Sequence, residues 1–381
     1  PKTSIYLGEK KKKEADIVVG NSFVLLIAIG FILTIVFIVF REPLLYTFGA
    51  SDNTISYAKD YLFIYLIGSI FVMISLGMNA FITAQGYTKV SMITILIGAV
   101  LNCILDPIFI FGLGLGVKGA AIATVISQCV SAIFVTYFLT SKKSYLRLSF
   151  KNMKINWKII LPALALGLSP FIMQFTEAVI SVCFNASLKK YGSDIAVGAM
   201  TILYSLMQFS MMPIMGLAQG AQPVISYNFG AQNATRVREG FRILFVFSVV
   251  YAFVLWLFFM ICPGLFAKIF TDNQELVAYS KWAIRIYFAV SGMFGIQIAC
   301  QQTFVAIGKA KISLFLAVLR KIILLIPLIF ILPLIFKNNQ VLGVLIAEPI
   351  ADGIAVSVTG ILFIIFFNRS LKGLKQEKIN E

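Results

Sequence analysis

Ten apolar stretches, each long enough to cross a bilayer, leave this chain almost no way to fold in water. They lie near 17–40, 57–83, 89–111, 119–140, 158–186, 194–221, 239–261, 276–307, 312–335 and 341–367. A spanning helix needs about 20 apolar residues, because the hydrocarbon core is about 30 Å thick and each residue rises about 1.5 Å. Hydrophobic residues make up 60% of the 381 and charged residues 13%, too few polar side chains to cover a soluble surface. The runs are far longer than barrel strands and do not alternate polar with apolar. The sequence therefore predicts an all-α polytopic membrane protein.

A net charge of +16 suggests nucleic acid at first, but its distribution argues against that partner. One set of alternate loops holds 21 of the 32 Lys and Arg residues, among them Lys10 to Lys13, Lys142, Lys143, Arg147, Lys151, Lys154, Arg236, Arg238, Arg242, Arg369, Lys375 and Lys378. The opposite loops hold 8, among them Arg41, Lys59, Lys118 and Lys337. This asymmetry places the richer loops and the C-terminus in the cytoplasm. No cleavable signal peptide is expected, and none is needed, because apolar helices of this kind direct insertion themselves.

Histidine is absent, which removes His-based catalysis and the commonest metal ligand. The five cysteines are scattered through or beside apolar segments with no C-x-x-C pair, and read as small buried hydrophobes. With no nucleophile–base pair legible either, the chain is not expected to be an enzyme. The glycines Gly114, Gly116 and Gly119 match G-x-G-x-x-G, but no strand precedes them, so a short turn between two membrane helices is expected in place of a dinucleotide site.

Slid on itself by 222 residues, the chain matches at 17 of 84 positions without a gap, from Gly8 against Gly230 to Ser91 against Ser313. Phe48 meets Phe270, Tyr57 meets Tyr279, and Gly86 meets Gly308. The offset spans six helices, an even number, so the two copies run in the same orientation, as parallel repeats about an axis along the membrane normal. The second copy has two helices ahead of the matching stretch and the first has none, and the chain opens on Pro1. The expectation is a protein of twelve helices in two pseudo-twofold-related bundles of six. Here residues 1–141 would be the remainder of the first lobe and 142–157 a basic cytoplasmic linker. Residues 158–368 would be the second lobe and 369–381 a cytoplasmic tail.

Ionisable residues inside membrane helices are costly, about 2.5–3.5 kcal/mol for an Asp at mid-span on insertion scales, so each is read as functional by default. Asn102 and Asp106 lie four apart on one helix face, and Pro107 removes a backbone donor and invites a kink. Carboxylate, amide oxygen and freed carbonyls together suit a hard cation or a proton; the plainer alternative is an acid that pins a helix junction. Glu177 lies mid-helix one turn after Gln174, and a carboxyl in apolar surroundings suits proton carrying, cationic-solute binding or a hydrogen-bonded structural acid. Arg285, Arg320 and Lys321 are intramembrane cations that either pair with acids or snorkel. Glu348 and Asp352 flank Pro349, four apart on one face of the last helix. The 35 Phe and 12 Met residues are mostly packing or lipid-facing surface, with some suited to a forgiving binding chamber.

The stretch Leu101 to Gln128, LNCILDPIFIFGLGLGVKGAAIATVISQ, resembles the multidrug and toxic compound extrusion (MATE) transporters. Leu217 to Gln232, LAQGAQPVISYNFGAQ, resembles the matching segment of the MepA-like branch. Gln174, Asn185, Tyr191, Gly192, Arg320, Pro349 and Asp352 also stand where that branch has them. The resemblance implies cation-coupled antiport of cationic, amphipathic drugs or dyes by alternating access, driven by Na⁺ or H⁺, with no cofactor. It implies a cation site at Tyr61, Asn102, Asp106 and Thr124, with Na⁺ held by the last three. A further Asp of that site belongs to the family's first helix, which this sequence lacks. Glu177 is similar to the C-lobe acid of the NorM-like branch, whose second acid has no counterpart among Gln297, Gln301 and Gln302. A C-lobe proton or substrate site is expected at Gln174, Glu177, Gln297, Arg285 and Asp352. The alternative within the same superfamily is a lipid-linked oligosaccharide flippase, disfavoured by the scarcity of cations inside the helices. A monomer in a bacterial cell membrane is expected, the high Ile, Lys and Phe content pointing to an AT-rich source.

Overall fold

Nearly every apolar run becomes a helix in the computed structural model, which describes residues 1–47, 52, 54–372 and 374. The readings that rest on Phe48, Lys375 and Lys378, and most of the 369–381 tail, lie outside the described residues. In chain order the helices begin with α1 (Lys2–Gly8), α2 (Lys12–Val39), α3 (Arg41–Thr47), α4 (Ile55–Ala84), α5 (Thr88–Pro107) and α6 (Gly116–Thr140). They continue with α7 (Trp157–Tyr191), α8 (Asp194–Gly230), α9 (Ala234–Ile261), α10 (Pro263–Lys268) and α11 (Gln274–Tyr287). The last four are α12 (Phe294–Ala306), α13 (Ala310–Val318), α14 (Ile326–Ile335) and α15 (Gln340–Leu371). No strand occurs among the described residues.

Among the described residues, nine segments are long and apolar enough to cross a membrane, and α11 with 291–306, bent by 47°, makes a tenth if the pair is one span. Counted that way, the spans match the ten apolar runs. Where α11 breaks, backbone groups leave the helical ladder and need other partners. The indole of Trp256 supplies one, donating to the Ala289 carbonyl at 2.9 Å. Large apolar side chains such as Phe31, Ile133, Phe171 and Phe175 point outward, the arrangement of helices solvated by lipid.

Contacts divide the chain into a unit of residues 10–162 and a unit of residues 1–9 with 163–381. In the 10–162 unit, small residues let helices approach closely. Gly68 faces Val125, and Gly98 faces the Ser131 hydroxyl. Between α5 and α6, Gly114 and Gly116 take positive φ of 64° and 54°, so the G-x-G-x-x-G run is a turn. A Cβ on Gly119 would come within 2.6 Å of the Phe109 carbonyl, so the third glycine serves close packing. The basic segment after α6 folds back onto α2. The amide of buried Asn21 donates to the carbonyls of Asn152 and Lys154, both at 2.9 Å, and accepts from Asn156 N–H at 2.6 Å.

In the other unit, Phe184, Met200, Leu203, Phe259 and Phe288 form one core, and Ile214, Leu244, Phe304 and Phe363 centre a second. Helix starts are set by asparagine: Asn273 accepts from the N–H of Glu275 and Leu276, Asn233 from Arg236, and Asn339 from Leu342.

The sequence repeat is visible in hydrogen bonds. Asn79 donates to the Ser91 carbonyl at 3.2 Å, and Gln301, 222 residues on, donates to the Ser313 carbonyl at 3.3 Å. Both repeats turn after that helix on a left-handed glycine, Gly86 at φ 88° and Gly308 at φ 79°.

Candidate functional site

The first site is built at the end of α5. Pro107 brings no N–H to the turn before it, and the helix widens there into a π-helical stretch, Ile108–Gly112. Asn102 and Asp106 share the face turned to α6. The Asn102 amide donates to Asp106 Oδ1 at 3.1 Å and to Thr124 Oγ1 at 3.4 Å. Thr124 is itself anchored, its hydroxyl donating to the Ala120 carbonyl at 3.0 Å. All three side chains are half-buried.

The donor set is therefore one carboxylate, one hydroxyl and one amide whose NH₂ is turned to the acid. A cation held between these groups requires the amide to rotate and present its oxygen. In the structure the acid is satisfied internally, by the Asn102 amide. Tyr61, on α4, does not hydrogen-bond with the other three; it stacks on Tyr65 with ring centroids 6.0 Å apart. Beside it, Asp60 pairs with Lys118 at 3.2 Å.

The second constellation lies in the 163–381 unit. Between α13 and α14 the helix widens again over Leu319–Leu325, and this π-helical stretch presents Arg320 and Lys321 to two different helices. Arg320 Nε donates to Asp352 of α15, and its terminal nitrogen reaches Glu348 Oε1 at 3.4 Å. Lys321 Nζ lies 2.8 Å from Glu177 Oε1 of α7 and 4.0 Å from Glu348 Oε1. The guanidinium also sits over the Phe294 ring, 5.1 Å from its centroid. Lys321, Glu348 and Asp352 are buried at 2%, 1% and 1% exposure, while the Glu177 side chain is 43% exposed.

Of the expected C-lobe residues, Glu177 and Asp352 are brought into this one network and the others are not. Arg285 lies apart, its Nε donating to the Met260 carbonyl at 3.2 Å near the end of α9. Gln174 is exposed one turn from Glu177, and Gln297 is buried with its Oε1 unpartnered. The residues that tie the network together are Arg320 and Lys321. The signal for them was two adjacent cations in an apolar run followed by two acids four apart, a pattern that demands pairing.

The MatE family profile matches residues 2–108 and 170–331. A multidrug export protein MepA of Staphylococcus haemolyticus (strain JCSC1435) is 27% identical over 353 residues, covering 92% of this chain and 77% of that protein. A MepA of Staphylococcus aureus (strain N315) is 28% identical over 358 residues, with 93% and 78% coverage. Among solved structures, a MATE protein in a bent conformation superposes with a TM-score of 0.90 at 22% identity, covering 97% of this chain and 82% of that one. An outward-facing multidrug resistance MATE family transporter of the MOP superfamily gives 0.89 at the same identity and coverage.

Proposed function

The chain belongs to the MatE family, and from that premise we propose that it exports cationic, amphipathic compounds across a bacterial cell membrane in exchange for Na⁺ or H⁺. Its similarity to the staphylococcal multidrug export proteins over more than nine-tenths of its length supports the cargo class. The observation that carries the coupling step is the Asn102–Asp106–Thr124 cluster: a half-buried acid within a spanning helix, held by an amide able to turn either end toward it.

A cation entering from outside binds at Asp106 and favours one arrangement of the helices around it. Drug favours the other. Coupling requires only that cation and drug bind the two states with different affinity, and an inward cation gradient then drives export. The flippase alternative calls for a strongly cationic chamber to hold a pyrophosphate headgroup. Arg320 and Lys321 are already paired with carboxylates, which counts against it.

The test is ethidium efflux from liposomes containing the protein, with sodium and proton gradients imposed separately. Asp106→Asn is measured in parallel. Gradient-driven efflux lost in the variant, with folded protein retained, supports coupling at this acid. Efflux equal to wild type in the variant sinks that assignment, and no efflux under either gradient favours the flippase.

A further inference from the structure

The network around Arg320 is unbalanced. It joins three carboxylates, Glu177, Glu348 and Asp352, to only two cations, Arg320 and Lys321. Two of the acids take direct partners: Asp352 is hydrogen-bonded by Arg320 Nε, and Glu177 lies 2.8 Å from Lys321 Nζ. Glu348 is left with the longer contacts, 3.4 Å to Arg320 and 4.0 Å to Lys321, both through Oε1. Its other oxygen, Oε2, is buried with no hydrogen-bond partner. Among the described residues, the remaining titratable groups that face Glu348 are the hydroxyls of Tyr204 on α8 and Tyr287 on α11, neither of which brings positive charge.

A buried negative charge without a matching cation is costly, and a carboxylate escapes that cost by taking up a proton. We infer that Glu348 is a proton-binding residue, carrying on Oε2 the one proton that brings this five-residue network to neutrality. Arg320 and Lys321 then neutralise Asp352 and Glu177, and Glu348 Oε1 still accepts from the guanidinium. Glu177 is the network's outlet, since its side chain is 43% exposed where those of Glu348 and Asp352 are 2%. A proton reaching Glu177 is one ion pair away from Glu348 through Lys321. The inference stands independently of coupling at Asp106, which lies in the other unit.

Charge balance makes a prediction that a simple structural acid does not. Protein in lipid nanodiscs, carrying Asp106→Asn to remove the other intramembrane acid, is examined by infrared spectroscopy at neutral pH. The carboxylic-acid C=O stretch, identified by its shift in D₂O, is expected at one equivalent. Adding Glu348→Gln abolishes it. Adding Glu177→Gln abolishes it too, because Lys321 is then freed to neutralise an ionised Glu348. Adding Lys321→Met raises it to two equivalents. A band that survives Glu348→Gln, or its absence from the Asp106→Asn protein, overturns the inference. Folding provides an independent readout. Gln has the shape of the protonated acid, so Glu348→Gln is expected to melt with its parent. A fall of several degrees marks Glu348 as an ionised partner of the two cations and also overturns the inference.

Discussion

Gly8 and Gly230, equivalent positions of the sequence repeat 222 residues apart, pack directly against one another where α1 meets α8. The contact is reciprocal. A methyl group on Gly8 would overlap the carbonyl oxygen of Tyr227, and one on Gly230 would overlap that of Ile5. Ile5 and Tyr227 are themselves 222 apart, so each glycine faces the repeat counterpart of its own neighbour. This is the self-complementary pattern of a twofold contact, made within one chain.

Because the obstruction is backbone, side-chain rearrangement cannot relieve it. Gly8→Ala and Gly230→Ala are each expected to destabilise the protein by about 1–3 kcal/mol, the usual cost of overpacking. The double variant should lose less than the sum, since one displacement of α1 from α8 relieves both clashes. Thermal unfolding in detergent followed by size exclusion measures all three, and strict additivity contradicts a shared contact.

Asn21 fastens the basic segment after α6 through three backbone hydrogen bonds. Asn21→Ala removes those three hydrogen bonds, at about 0.5–1.5 kcal/mol for each. Cleavage by trypsin after Lys151 and Lys154 should accelerate at least tenfold while the spanning helices stay intact. An unchanged cleavage rate means the segment is held elsewhere.

At the α5–α6 site, Thr124→Val preserves shape and removes the hydroxyl that receives the Asn102 amide. The ion concentration giving half-maximal ethidium efflux should rise about tenfold, equivalent to about 1.4 kcal/mol, with the maximal rate little changed. A lower maximal rate at unchanged half-saturation places Thr124 outside the ion's reach.

The Arg320 network should respond unevenly to losing acids. Asp352→Asn alone is tolerated, because Glu348 remains 3.4 Å from the guanidinium and ionises in compensation. Combined with Glu348→Gln it leaves Arg320 buried without a carboxylate, a loss of about 3–5 kcal/mol and more than the sum of the single changes. Urea or thermal denaturation of the four proteins completes that cycle, and equal, additive losses argue against an excess acid.

Much of this protein was legible in one dimension. Ten apolar runs dictated nine unbroken helical spans and one bent pair, because a bilayer demands that backbone polar groups be satisfied within each segment. The 222-residue repeat matched Gly86 with Gly308, which make the same turn, while the bond that Asn79 and Gln301 share at equivalent positions emerged only from the fold. Asn102 and Asp106 were legible as a pair because four residues is one helical turn. Thr124, on the next helix, was reached through family resemblance, and the fold brought its hydroxyl to the Asn102 amide. The fold alone decided which intramembrane charge meets which. Arg285 looked as eligible as Arg320 in the sequence, yet it reaches a carbonyl of α9, while Lys321 finds Glu177 across 144 positions of chain. Periodicity and hydropathy are local properties, written residue by residue. Charge pairing depends on helix rotation and on where a π-helical turn re-aims a side chain, and those are set by packing between segments distant in sequence.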